Sequence, residues 1–92
     1  MMSINRVNVK IAKALLDNFD ETQFDLEISQ PTGLYNSKIV VTPKRIFDFT
    51  EDAFEVANSI MYHVLTPLKL IPVGVDFREV DSQISVEFKL PK

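Results

Sequence analysis

"VGVDFREVDSQISVEFKL", residues 73–90, decides the fold. Two runs of alternating side chains flank a short polar interruption. In the first, Val73, Val75 and Phe77 alternate with Gly74, Asp76 and Arg78. In the second, Ile84, Val86, Phe88 and Leu90 alternate with Ser85, Glu87 and Lys89. A period of two is the mark of a strand with one dry face, because successive side chains leave opposite sides of the backbone. "EVDS" (79–82) supplies a turn between the runs, so the stretch reads as a β-hairpin.

Toward the N-terminus, "TEDAFEVANSIMYHVLTP" (50–67) changes period. Ala53, Phe54, Ala57, Ile60, Met61, Val64 and Leu65 recur at three and four residues, an apolar stripe along a helix. Thr50 is the expected N-cap, and Glu51 and Asp52 suit the positive end of the helix dipole. Phe49 and Phe54 stand at hydrophobic-staple positions. Pro67 is expected to end the helix.

The first half of the chain repeats the order. Ile4, Val7, Ile11 and Leu15, with Ala12, Leu16 and Phe19 beside them, predict a helix over 4–19. Phe24, Leu26 and Ile28 alternate with Asp25, Glu27 and Ser29 as a strand. "QPTG" (30–33) has turn chemistry, and "LYNSKIVVT" (34–42) returns as a β-branched strand. The expectation is one α+β domain over 1–92, built of two αββ halves near 1–46 and 47–92. Two helices then cover one face of a four-stranded, mostly antiparallel sheet, the αββαββ two-layer sandwich. Homing-endonuclease cores share that order, but neither helix here carries the glycine-and-acid ending of their signature, so the order assigns no function.

Composition narrows the chemistry. Of 92 residues, 46% are hydrophobic and 25% charged, which is enough apolar surface to fold. A domain of this length buries only about 60% of its unfolded surface, so self-association as a homodimer is expected to help. The chain has no cysteine, which excludes thiolate metal sites and disulfides. Polar residues interrupt "MMSINRVNVKIAKALL", the expected address is cytoplasmic, and no membrane is expected as a partner. A formal charge of −3 is too mild for a non-specific polyanion binder.

Sites of chemistry are scarce. His63 is the only histidine, and its helical neighbours Ser59, Ile60, Thr66 and Pro67 include no carboxylate. It reads as a boundary residue, and an enzyme assembled in space around it is the least favoured alternative. The acidic groups Asp17, Asp20, Glu21, Asp25 and Glu27, then Asp48, Glu51, Asp52 and Glu55, show no metal-ligand spacing. Gly33 and Gly74 are far apart, so no phosphate loop exists, and no cofactor is expected. Arg6, Lys10 and Lys13 form a basic stripe on the first helix, with Lys44 and Arg45 as a second patch. These residues define the alternative of a nucleic-acid or nucleoprotein binder. Against it, the outward sheet positions carry no aromatic side chain for base stacking.

The favoured expectation is therefore a small non-enzymatic protein-interaction module: an adapter, assembly subunit or inhibitor of the accessory kind encoded by phages and mobile elements. Its contacts are placed on Tyr62, an aromatic on the polar side of the second helix, and on Leu68, Leu70 and Ile71 of the apolar connection "LTPLKLIPVG" (65–74). Tyr35, at the tip of the first hairpin, completes the set.

Overall fold

The computed structural model describes residues 4–29, 37–44 and 49–90, with helical side chains from Asn8 and Glu51 onward. Helix α1 (Ile4–Asn18) is followed by strands β1 (Phe24–Ser29) and β2 (Ser37–Pro43). Helix α2 (Phe49–Ser59) runs on into a π-helical turn, Ile60–Leu65, and strands β3 (Ile71–Arg78) and β4 (Gln83–Lys89) complete the αββαββ order. All three pairings are antiparallel and the strand order is β1-β2-β4-β3. Each αββ half thus places its second strand at the centre and its first at an edge.

The helices cover the face carrying Ile39 and Val41 of β2 and Ile84, Val86 and Phe88 of β4, all at most 1% exposed. Ile11, Leu15 and Phe19 come down on them from α1, and Ala53, Val56, Ala57, Ile60, Val64 and Leu65 from α2 and its π turn. Phe24, Leu26 and Ile28 of β1 are half-buried beside this core. The opposite face is open and carries the polar set that alternation assigns to it, including Lys38 opposite Glu87 and Asp76 opposite Ser85.

Several local expectations shift. Helix α2 begins at Phe49, and the Thr50 side chain expected to cap it lies outside the described side chains. The Phe49 side of the staple lies outside the described side chains. Val9 and Leu16 of α1 stay exposed. Among the described side chains the buried line is Ile11 and Leu15 with Phe19 just past the helix end, while the Ile4 and Val7 side chains lie outside that set.

The helix ends at Leu65, two residues before Pro67, as expected. The proline ring would collide with the carbonyl four residues back, that of His63. The π turn widens the spiral, and the Thr66 N–H donates five residues back to Met61 O at 2.9 Å. The chain then closes with a Schellman pattern. Lys69 sits at φ 59°, its N–H donates to Thr66 O (3.0 Å), and the Leu70 N–H donates to Leu65 O (3.0 Å).

At the other end, Asp20 organises the loop after α1. Its Oδ1 accepts from the Thr22 N–H (2.9 Å) and hydroxyl (2.7 Å). The Lys44 ammonium donates to Glu21 O (2.9 Å) and pairs with Asp25 (3.5 Å). Acidic residues of the first cluster thus tie down a loop and a strand end.

Candidate protein-contact surface

Strand β3 is exposed along its whole length, on both faces. Its side chains nevertheless keep the alternating pattern of a half-buried strand. Val75 lies opposite Val86 and Phe77 opposite Ile84, so both point to the helix side of the sheet. They remain 38% and 36% exposed because β3 is the edge strand and the helices cover it only in part.

Register explains the fate of Val73. The pairing runs Pro72 to Phe88 and then Gly74 to Glu87, leaving Val73 as the extra residue of a β-bulge. Pro72, not Val73, therefore takes the slot opposite the buried Phe88. Proline and a bulge both belong on sheet margins, where a lost N–H or an unpaired residue disturbs one neighbour instead of two.

One aromatic reaches this margin from above. The ring of Phe54 on α2 lies 5.2 Å from that of Phe77, tilted by 58°. Phe54 remains 63% exposed. Phe54, Val75 and Phe77 thus form an apolar strip between a helix and a sheet edge. Val80 follows in the hairpin turn, with its side chain almost wholly in solvent. That turn is held by the Ser82 N–H donating to Glu79 O (3.1 Å), with Ser82 at φ 51°.

The residues expected from sequence to make contacts are dispersed. Tyr62 is exposed on the π turn, and Ile71 is exposed at the start of β3, opposite Lys89 and on the open face. Leu70 is a core residue, because the Schellman closure turns it inward against Leu65; the contact role assigned to it does not fit. Leu68 is half-buried against the same core. Tyr35 lies outside the described residues. The strip was missed because Val75, Phe77 and Phe54 all read as core. Pro72 inside the alternating run was the available signal for an edge strand.

The basic set is also divided. Lys10 and Lys13 are exposed on α1, while Lys44 is engaged by Asp25 and Glu21. The Arg6 side chain and Arg45 lie outside the described residues. His63 is exposed on the π turn. Among the described residues no group of three or more His, Cys, Asp or Glu is arranged to hold a metal ion. A cleft of about 410 Å³ lies between α1 and the opposite edge strand, lined by Leu15, Leu16, Phe24, Leu26 and Ile28 and by the Asp25–Lys44 pair.

No family model matches the chain, and neither a curated protein nor a solved structure matches it. Among the described residues no helix is long and apolar enough to cross a membrane.

Proposed function

We propose that this chain is a small, non-enzymatic protein-interaction module of the cytoplasm, acting as an adapter, assembly subunit or inhibitor. The observation that supports this reading is the Phe54–Val75–Phe77 strip on the edge strand. Buried aromatic anchors dominate binding energy at protein interfaces, and a rigid sheet edge presents them at little entropic cost. Covering the part of each ring still exposed, 63% of Phe54 and 36% of Phe77, contributes roughly 1–2 and 0.5–1 kcal/mol. Tyr62 and Ile71, exposed on neighbouring surfaces, extend the contact area beyond the strip.

Photo-crosslinking tests the reading. A benzophenone side chain at position 54, in cells, is expected to give discrete protein adducts, while one at Asp25 on the opposite edge gives none. Absence of any adduct at position 54, or equal labelling at both positions, would overturn it.

A further inference from the structure

We infer that the occupant of this edge is a second copy of the chain, paired antiparallel along β3 about a two-fold axis through Phe77. The inference rests on the contact reading above and names its partner. In an antiparallel pair, residues directly opposite share a face. An axis perpendicular to the sheet therefore matches residues equally distant from it on either side.

The regular part of β3 offers four such axes. Centred on Val75, the pairing takes in Pro72, which has no N–H, and the bulged Val73. Centred on Asp76, it sets that carboxylate against its own copy, and centred on Arg78 it does the same to the guanidinium. Like charges directly opposite are destabilising. Centred on Phe77, Asp76 faces Arg78 of the other copy and Arg78 faces Asp76. Within one chain Arg78 pairs with Asp76 at 3.5 Å and with Asp81 at 3.8 Å, and all three side chains are more than half exposed. They are therefore available to a second chain.

Two further features fit the same axis. Phe77 meets its copy on the helix side, with a Phe54 ring 5.2 Å behind each, so four partly exposed rings form one cluster. Val80, 99% exposed, falls opposite Gly74, where an added Cβ would meet nothing within 4 Å. A hollow of about 140 Å³ lies beside Gly74 on the open face. The knob and the gap stand equally far from Phe77 along the chain.

The matched stretch is short. Only 76–78 pairs strand against strand, while Gly74 and Val75 face residues 80 and 79 of the turn. So small an interface predicts a weak dimer, with a dissociation constant on the order of 0.1–1 mM.

Sedimentation equilibrium up to about 2 mM tests it, since that range brackets the expected constant. Wild type should self-associate. Asp76→Arg and Arg78→Asp should each weaken association about tenfold or more, because repulsion replaces attraction at both matched pairs. Their equimolar mixture should recover wild-type association, since each substituted position then faces an opposite charge. Circular dichroism confirms the fold of each variant. If a reversal disturbs it, Asp76→Asn and Arg78→Gln should give about a threefold loss each. A wild type that stays monomeric throughout overturns self-pairing, while adducts to other proteins at position 54 would leave the contact reading standing. Association indifferent to the charge reversals, or not recovered in the mixture, overturns the Phe77 axis.

Discussion

Strands β3 and β4 are two arms of one hairpin with one sequence pattern and opposite fates. Ile84, Val86 and Phe88 of β4 are sealed, whereas Val75 and Phe77, directly across from two of them, remain more than a third exposed. The difference is position in the sheet. Strand β4 lies second from the edge, between β2 and β3, beneath α2. Strand β3 has a neighbour on one side and no helix laid fully over it. Alternation tells which side chains share a face, but burial needs a second layer on that face, and two helices cover only the middle of four twisted strands.

The sharpest break in this contrast lies at two adjacent residues, where the chain leaves the core for the edge. Leu70→Glu places a charge in a fully packed site and is expected to unfold the domain, a loss of several kcal/mol. Ile71→Glu, on the exposed side of the same step, should stay within about 0.5 kcal/mol of wild type. Urea denaturation followed by circular dichroism separates them, and equal losses would mean that the segment is one environment, not two.

Truncating the two aromatics carries the comparison into the hairpin. Phe88→Ala should cost about 3–5 kcal/mol through the cavity it leaves. Phe77→Ala should cost about 1–2 kcal/mol at concentrations where the chain is a monomer, because over a third of the ring is already in solvent. A Phe77→Ala loss as large as that of Phe88→Ala would place a cover over β3 that the edge position does not provide. The smallest expected effect is a gain. Lys69→Gly relieves a left-handed residue at the entrance to β3 and should stabilise by about 0.5–1 kcal/mol. A loss of stability there would show that the lysine side chain contributes more than its strained backbone costs.

The fold was legible in the sequence because its signals are local. Each strand shows period two, each helix shows three and four, and the turn "EVDS" closes where Ser82 adopts positive φ. The strand order was not legible, because a pairing such as Val40 with Ser85 joins residues that carry no mark of each other. Edge position follows from that order, so the exposure of Val75 and Phe77 was hidden with it. Leu70 failed for a different reason. Hydrophobicity in a connection is compatible with surface or core, and the choice is made by backbone bonds to Thr66 and Leu65 that turn the chain inward. Tyr62 is exposed, as its place on the polar side of a helix implies.

The order β1-β2-β4-β3 has a last consequence. A sheet with two unlike edges can stack head to tail without end, one molecule's β1 on the next one's β3, and so grow a fibre. Each edge here carries something that interrupts such growth. On β3 it is Pro72 and the bulge at Val73; on β1 it is the Asp25–Lys44 pair and the acidic Glu27. The same irregularities that shorten any contact along an edge also oppose the growth of such a fibre.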